Sequence, residues 1–434
     1  MIKRKGYRWF VFSVFLVFML LHQTDKLLIG PLTSSIMETF GINEAQMGFV
    51  FSGAIVVGAL MFPLWGWLYD RYARSKLLAL AAFIWGGTTW LSAIVRTYPG
   101  FLVTRSSTGI DDSSYPGLYN LIADYFEPKV RGKVFGLLQL TAPIGYTLGM
   151  LLAMILGGSL GWRSVFFITG SLGILMAVVI FFFVKEPVRG GSEPELQNVQ
   201  LQHRYKFSFK TALELFKKPS MLFLFLNGFF GVLPWQVITF WIFRYLEAER
   251  GYDEGTILVT MVIAILAMSI GFPFAGWLGD QLFRKSLRGR LLVGCIGIFL
   301  GIVFAILALN TPVASRMQFG IFLVIMAFFM PFAAANVLAT IYDITVPEVR
   351  STTNALFNFA EQIGSAAAPS IAGLIAVKAS LGSAILWIST IAWSVCLVML
   401  IIGMAYVPRD ILGLRKQLAD RAALELAHDP EPAQ

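Results

Sequence analysis

Twelve apolar stretches of about 20 residues occupy most of this chain, and short polar turns separate them. A helix of about 20 apolar residues crosses the ~30 Å hydrocarbon core of a bilayer and satisfies its backbone polar groups internally. The sequence therefore predicts an all-α membrane protein with twelve transmembrane helices. The predicted spans are 8–30, 46–68, 77–96, 99–124, 132–158, 164–184, 220–246, 255–280, 288–309, 315–342, 350–377 and 380–406.

Composition and cysteine content agree with a membrane protein. Hydrophobic residues make up 57% of the 434 residues and charged residues only 14%. Cys295 and Cys396 both fall in apolar spans, so neither a disulfide framework nor a cysteine-based metal site is expected. No small-residue cleavage site follows the first apolar stretch, which we therefore interpret as a retained span rather than a signal peptide.

The net charge of +9 indicates membrane orientation rather than a nucleic-acid partner. On the twelve-span map, 26 of the 34 Lys and Arg residues fall on the side of the N-terminus, six fall on the other side, and Lys26 and Arg105 lie within spans. Positively charged segments stay in the cytoplasm. Both termini are therefore expected to be cytoplasmic, in the cell membrane.

Two duplicated motifs divide the chain into similar halves. "PLWGWLYD" at 63–70 returns as "PFAGWLGD" at 273–280, and a second group around Asp124 and Arg131 returns around Asp343 and Arg350. Such parallel repeats place a central site between two bundles. We predict two pseudo-symmetric six-helix bundles at 1–184 and 220–406, a cytoplasmic middle loop at 185–219 and a cytoplasmic tail at 407–434.

The loop "GWLYDRYAR" at 66–74, between spans 2 and 3, resembles the signature loop of the major facilitator superfamily. Ala73 replaces the second glycine of that pattern. The resemblance implies the twelve-helix fold of this superfamily, transport by alternating access and a monomer. It also implies a conformational latch at the cytoplasmic ends of the spans, formed by Gly66, Asp70, Arg71, Arg74, Asp124, Arg131, Asp280 and Arg350.

Three shorter stretches resemble the spinster-like and anion:cation symporter branches. They are Asp25-Lys26 in span 1, "RSSTGIDDSSY" at 105–115 in span 4, and "GWRSVFF" at 161–167. Lys26 and Asp112 stand where these branches usually carry Arg and Glu. The resemblance implies a small organic anion or an anionic amphiphile such as a lysophospholipid as cargo.

Ionisable residues inside the predicted spans point to a site in the protein interior. Each costs at least ~2.5–3.5 kcal/mol to insert, so those that are retained normally face a cavity or a partner. In an uninterrupted helix, His22, Asp25 and Lys26 share one face, and Arg105, Gly109 and Asp112 share another, whereas Asp111 lies about 100° from Asp112. Asp111 therefore ranks lower as a site residue.

Matching depths allow an ion pair between Asp25 and Arg105. We predict proton coupling through Asp25, Asp112 and Glu361, since a carboxylate can take up and release a proton as its surroundings change. A polar stripe on span 11 is expected to line the second half of the same cavity. The predicted substrate-binding residues are His22, Lys26, Arg105, Tyr115, Gln139, Tyr146, Gln236, Asn336, Asn354 and Asn358.

Two structural alternatives remain for these polar residues. Buried charges can form an ion-pair network that only joins spans 1 and 4. Asn and Gln side chains can also hydrogen-bond one helix to another without touching any substrate.

The predicted function is a proton-coupled secondary transporter of a small organic anion or an anionic amphiphile. The chain has no phosphate-binding loop of the kind that hydrolyses ATP. Efflux of hydrophobic compounds is the alternative transport function. A lipid-modifying enzyme is disfavoured because His22 is the only histidine in a span, and a binding receptor is a further alternative. The expected partners are protons, a small-molecule or lipid substrate and the bilayer; no cofactor, metal or catalytic residue is expected.

Overall fold

The computed structural model describes residues 5–126, 128–187, 218–345 and 350–428, and these residues are predominantly helical. In chain order the helices are α1 (Lys5–Leu28), α2 (Thr33–Phe40), α3 (Glu44–Arg71), α4 (Arg74–Ile94), α5 (Tyr98–Ser107), α6 (Gly109–Asp112), α7 (Tyr115–Tyr125), α8 (Pro128–Gln139), α9 (Thr141–Leu160), α10 (Trp162–Phe183), α11 (Pro219–Ala248), α12 (Glu254–Lys285), α13 (Gly289–Leu309), α14 (Arg316–Phe329), α15 (Phe332–Asp343), α16 (Arg350–Lys378) and α17 (Leu381–His428).

The helices confirm the predicted fold class of a multi-pass, all-α membrane protein. Ten stretches among the described residues are long and apolar enough to cross a membrane. The two predicted spans outside these ten are span 4, which is divided into α5, α6 and α7, and span 11, which is α16. Both are spans in which the sequence analysis placed polar candidate residues.

The chain forms two compact units whose boundaries differ from the boundary between the sequence halves. Unit 1 contains residues 1–204 together with 236–262 and 365–385, and unit 2 contains residues 205–235, 263–364 and 386–434. Parts of α11, α12, α16 and α17 therefore pack with the first half. Most of the predicted middle loop, 188–217, lies outside the described residues.

Glycines allow α1 and α9 to approach closely in unit 1. A Cβ atom added to Gly149 of α9 would lie 2.2 Å from the Thr24 carbonyl oxygen of α1. Small residues at such positions let the backbones of membrane helices meet. This contact fixes the part of α1 that carries Asp25.

We expect Gly149→Ala to lower the thermal stability of the purified protein, because overpacking a close contact costs about 1–3 kcal/mol. The matched control is Gly136→Ala, since no atom lies within 4 Å of a Cβ added there. The melting temperature of both variants in detergent checks this prediction. Equal melting temperatures for the two variants would contradict it.

Span 4 is interrupted where its polar residues lie. The Thr108 hydroxyl donates to the Arg105 carbonyl at 2.7 Å, and the Ser113 hydroxyl donates to the Ile110 carbonyl at 3.0 Å. Hydroxyl side chains that hydrogen-bond to backbone carbonyls compete with regular helix formation. Pro116 then lies in the first turn of α7, where its missing N–H group is tolerated.

Unit 1 also contains a contact between the two sequence halves. The Ser370 hydroxyl of α16 lies 2.7 Å from the Ser52 hydroxyl oxygen of α3, and the Trp241 indole of α11 donates to the Pro369 carbonyl at 3.1 Å. A Cβ added to Gly48 would lie 2.7 Å from that same carbonyl oxygen. We call these five residues the outer contact, because each lies in the half of its predicted span that is nearer the extracellular side.

Unit 2 has a small aliphatic and aromatic core and a long terminal helix. Ala275, Val293 and Phe332 form a buried cluster of α12, α13 and α15. Helix α17 continues through Pro408, so the helix of the last span extends into the segment that the sequence analysis treated as a tail. The Ser220 hydroxyl of α11 donates to the Asp410 carboxylate in that extension.

Candidate functional site

Helix α1 presents three ionisable side chains towards the other helices of unit 1. His22 and Asp25 are each only 4% exposed. The Lys26 side chain retains 44% of its accessible surface. The three residues lie within about one helical turn, as the spacing predicts, but only Lys26 remains open to a solute.

Asp25 lies between hydroxyl donors and a guanidinium group. The Thr169 hydroxyl of α10 donates to its Oδ1 at 2.7 Å, and the Thr89 hydroxyl of α4 donates to its Oδ2 at 3.4 Å. Arg105 Nη1 lies 3.9 Å from Asp25 Oδ2, which confirms the predicted proximity of the two residues. Asp25 of α1 therefore contacts polar groups from three other helices, α4, α5 and α10.

Arg105 is buried but not fully hydrogen-bonded. It is 6% exposed, and its guanidinium carbon lies 5.0 Å from the centre of the Phe166 ring, a cation–π contact. Its Nη1 atom makes no hydrogen bond to any described residue. Because guanidinium groups bind carboxylates through paired N–H donors, Arg105 retains donor capacity for an anion.

His22 of α1 contacts two of the three helices into which span 4 is divided, α6 and α7. Its Nε2 atom lies 2.6 Å from Asp111 Oδ2 of α6, and its Nδ1 atom contacts the Tyr115 hydroxyl of α7. The ring also meets Trp85 of α4 edge to face, with centroids 5.2 Å apart. Contacts at both nitrogens and at the ring edge fix the position of the imidazole.

Asp112 lies beside two potential cations. Its Oδ1 atom is 3.5 Å from Lys26 Nζ and 3.5 Å from His22 Nε2, and 26% of its side chain is accessible. His22, Asp111 and Asp112 place ligand atoms within 4.8 Å of one another. The ammonium group of Lys26 repels a metal ion at this position, so the arrangement favours a proton over a metal.

Asp111, which helical spacing ranks below Asp112 as a site residue, faces His22 as Asp112 does. Asp111 is 2% exposed and forms the shortest contact with His22, whereas Asp112 keeps accessible surface. The ranking assumed a continuous helix with 100° per residue. Span 4 is interrupted at Thr108 and Ser113, so the angle between Asp111 and Asp112 cannot be taken from a regular helix. The sequence carried a signal of this interruption in the run of Ser and Thr around the two acids.

The other predicted binding residues are spread over both units. Tyr146 of α9 and Gln236 of α11 are partly buried in unit 1, where Gln139 is exposed. In unit 2, Asn354 and Glu361 of α16 are partly buried and Asn358 is exposed.

Asn336 takes part in a helix-to-helix contact. It is 2% exposed, and its amide donates to the Ala275 carbonyl at 3.1 Å and to the Phe332 carbonyl at 2.9 Å. Its Oδ1 atom would lie 1.8 Å from a Cβ added to Gly279. This placement corresponds to the hydrogen-bonding alternative and leaves Asn336 no exposed surface for a substrate.

Arg74, a latch candidate of the first half, forms ion pairs with two carboxylates. Its Nη1 atom lies 2.7 Å from Asp124 Oδ2, and its Nε atom donates to Glu186 Oε1 at 2.8 Å. The other Glu186 oxygen accepts from the Ser75 backbone N–H at 2.8 Å. Arg74 and Asp124 were predicted latch residues, whereas Glu186, which follows the last turn of α10, was not.

A similar arrangement occurs in unit 2. Arg290 Nη2 lies 2.6 Å from Asp280 Oδ1, and its Nη1 atom contacts the Asp343 carboxylate. Arg290 was not among the predicted latch residues, because the duplicated motif at 273–280 ends before it. In the first half, Arg71 lies over the Trp67 ring at 4.4 Å and Gly66 has open space around it. The side chains of Asp70, Arg131 and Arg350 lie outside the described part of the structure.

The cluster in unit 1 can bind an anion and hold a proton. Lys26 is accessible, Arg105 has a donor without a hydrogen-bond partner in the described residues, and two carboxylates lie beside His22.

Comparison with known proteins supports this interpretation of the fold. The chain is 24% identical over 285 residues to a probable sulfoacetate transporter of Cupriavidus necator, with 64% of this chain and 66% of that relative aligned. It is 23% identical to a D-galactonate transporter of Escherichia coli, with 85% of this chain and 89% of that relative aligned.

Among solved structures, a bacterial homologue of the human lysosomal transporter spinster, in an inward-facing and unoccupied conformation, matches with a TM-score of 0.77. The match is 21% identical and covers 94% of this chain and 98% of that one. The family model of the Major Facilitator Superfamily matches residues 12–369. The chain therefore belongs to the Major Facilitator Superfamily.

Proposed function

We propose that this protein is a proton-coupled secondary transporter of a small organic anion or an anionic amphiphile. It works by alternating access in the cell membrane, with both termini in the cytoplasm. The observation that carries the proposal is the cluster of three carboxylates, two permanent cations and a histidine among the helices of unit 1. Membrane proteins retain such costly groups where solutes or ions are handled.

The two permanent cations provide the anion site. Lys26 keeps 44% of its side-chain surface, so an anion can reach it without displacing packed residues. Arg105 lies deeper and has a donor without a hydrogen-bond partner in the described residues. The named substrates of two relatives, sulfoacetate and D-galactonate, are both small organic anions.

Proton coupling is assigned to the carboxylates Asp25, Asp112 and Glu361. Asp25 and Asp112 each lie next to a cation of the anion site, Arg105 and Lys26 respectively. When a substrate anion competes for these cations, the balance of charge around each carboxylate changes. Glu361, partly buried on α16 of unit 2, is assigned the corresponding role there.

Alternating access requires that contacts between the halves form and break in each cycle. The outer contact is of this kind, since α3 of the first half meets α16 of the second through the Ser52–Ser370 hydrogen bond and one close backbone approach. Trp241 of α11 in turn donates a hydrogen bond to Pro369 of α16. We propose that it closes the extracellular side of the pathway. The ion pairs of Arg74 and of Arg290 are proposed to serve as cytoplasmic latches.

The transport proposal is tested in proteoliposomes that contain the full chain, with an imposed pH gradient and radiolabelled solutes. Sulfoacetate and D-galactonate represent small anions, a lysophosphatidylglycerol represents anionic amphiphiles, and ethidium represents hydrophobic drugs. We expect accumulation of at least one anionic solute, and loss of that accumulation when nigericin dissipates the pH gradient. Accumulation of ethidium alone would instead support the efflux function, and chemical change of the lipid would support an enzyme.

Asp25→Asn and Asp112→Asn are each expected to abolish accumulation driven by the pH gradient. Both substitutions preserve side-chain size and leave a cation without its carboxylate partner. Glu38→Gln, an exposed position on α2, is the matched control. Purified yield and the elution profile on size exclusion establish that each variant folds. Undiminished accumulation in both Asp variants would refute their role in coupling.

A further inference from the structure

We propose that His22 and Asp111 together hold the proton that is exchanged during transport, and that its presence prepares the site for an anion. This inference rests on the proposed proton-coupled transport of an anion. It assigns the bound proton itself to a pair of residues on α1 and α6. Asp25 and Asp112, which lie next to the cations of the anion site, then link the anion to that proton.

Contact geometry separates Asp111 from the other two carboxylates. Asp25 lies 3.9 Å from Arg105 and Asp112 lies 3.5 Å from Lys26, so each has a permanent cation beside it. Asp111 instead contacts His22 at 2.6 Å, and no Lys or Arg of the described residues forms an ion pair with it. Histidine is the side chain that changes charge near neutral pH, so this pair can gain or lose a proton.

The pair is built to keep its proton in place. Asp111 Oδ2 meets His22 Nε2, and the Tyr115 hydroxyl meets His22 Nδ1, so both ring nitrogens have a partner. The hydroxyl can donate to a neutral imidazole or accept from a charged one. Tyr115 therefore positions the ring in both protonation states, and the ring does not have to turn when the proton arrives.

Asp111 also has an unused hydrogen-bond acceptor. Its Oδ1 atom is buried and accepts no hydrogen bond within the described residues, although the residue is 2% exposed. A buried ionised carboxylate normally accepts hydrogen bonds at both oxygens, because leaving one unsatisfied is costly. The half-satisfied carboxylate is better suited to a state in which the pair carries an additional proton.

The net charge of the cluster links the proton to the anion. Three carboxylates (Asp25, Asp111 and Asp112) face two permanent cations (Lys26 and Arg105), which gives a net charge of −1 when His22 is neutral. One proton on the pair makes the cluster neutral. A cluster with net negative charge repels an incoming anion, whereas a neutral cluster leaves Lys26 and Arg105 free to attract it.

Neighbouring titratable groups on the surrounding helices interact electrostatically with this cluster. Asp25 and Asp112 interact with Asp111, and Tyr146 of α9 interacts with Lys26 and Tyr115. Because linkage is reciprocal, a proton on the pair strengthens anion binding, and a bound anion strengthens proton binding to the same extent. One proton carried with one monovalent anion returns the cluster to a net charge of −1, the charge of the empty, deprotonated state.

Binding of D-galactonate, a monovalent anion, to the purified full chain tests this linkage by isothermal titration calorimetry between about pH 5 and pH 8. In the wild type we expect the dissociation constant to rise with pH, by up to about tenfold per pH unit where the pair loses its proton. Asp111→Asn leaves the cluster neutral while His22 is unprotonated and removes the carboxylate that holds the proton, so the pH dependence of binding should weaken and move to lower pH. Asp112→Asn removes the same charge one residue away but keeps the pair, so binding should still depend on pH.

Two results would overturn the inference. One is a pH dependence in Asp111→Asn equal to that of the wild type, and the other is its loss in Asp112→Asn but not in Asp111→Asn. Failure of D-galactonate and sulfoacetate to bind the wild type at any pH would count against the proposed anion cargo. In that case an NMR titration of His22, which needs no substrate, tests whether His22 and Asp111 hold the proton together.

That measurement is nitrogen-15 NMR of the histidine rings in the full chain, labelled with ¹⁵N-histidine in nanodiscs. The variants His203→Gln and His428→Gln assign the signals of the other two histidines. Asp111→Asn is expected to shift the titration midpoint of His22 by at least about one pH unit, and Asp112→Asn by less, since their carboxylate oxygens lie 2.6 Å and 3.5 Å from Nε2. An unchanged His22 titration in Asp111→Asn would refute the pair.

Discussion

Oxidation of a Ser52→Cys, Ser370→Cys double variant is expected to stop transport, and reduction with dithiothreitol is expected to restore it. The two hydroxyl oxygens lie 2.7 Å apart in the outer contact, so sulfur atoms at these positions are within reach of each other. A covalent bond between α3 and α16 prevents the outer contact from separating. If alternating access requires that separation, the loss of transport should be at least about tenfold.

The single variants Ser52→Cys and Ser370→Cys are the matched controls, because neither can form the bond within one chain. The native thiols do not interfere, since Cys295 and Cys396 are both buried in unit 2. Mass spectrometry of peptides under non-reducing conditions measures the crosslinked fraction. Undiminished transport by a fully crosslinked protein would show that the outer contact stays closed throughout the cycle.

Arg105→Gln is expected to give the second large effect, a loss of both stability and anion transport. Removing the guanidinium leaves Asp25 buried at 4% exposure without its cation. Breaking a buried ion pair by removing one partner costs about 3–5 kcal/mol. We expect a clear fall in the melting temperature in detergent and loss of measurable D-galactonate uptake.

The double variant Asp25→Asn, Arg105→Gln separates a structural role from a functional one. With both charges removed, no unpaired buried charge remains, and the melting temperature should return towards that of the wild type. Transport should not return, because the double variant lacks the guanidinium that is proposed to bind the anion. Recovery of both properties would mean that the pair only joins span 1 to its neighbours.

Arg105→Lys adds a test of geometry. Lysine keeps the positive charge beside Asp25 but lacks the planar fork of the guanidinium and its contact with the Phe166 ring. We expect the variant to fold with near wild-type stability and to show a raised KM for D-galactonate. A KM equal to that of the wild type would show that charge alone is sufficient at this position.

The class of fold was predictable from the sequence because a bilayer imposes a simple rule on length and polarity. An apolar stretch of about 20 residues has to be a helix in this solvent, and the comparisons confirm the resulting fold class. The position of the cluster was also predictable in outline. Ionisable residues in such helices are so costly that His22, Asp25 and Arg105 could be selected without any coordinates.

Partner choice within the cluster was only partly predictable. Matching depths in spans 1 and 4 correctly placed Asp25 near Arg105. Spacing misjudged Asp111, because hydroxyl groups of Thr108 and Ser113 hydrogen-bond to the backbone and interrupt span 4. Small departures from 100° per residue change which of two adjacent carboxylates meets His22.

The sequence by itself determined that this chain is a duplicated membrane helix bundle with charged residues in its interior, since hydropathy and repeats are properties of the residues in order. Only the tertiary structure decided that Asp111 rather than Asp112 is buried against His22, that Asn336 joins two helices, and that Arg290 binds Asp280 and Asp343. The physical reason is that the energy of a buried charge depends on distances of a few ångströms to groups far away in the chain, and those distances are set by helix packing.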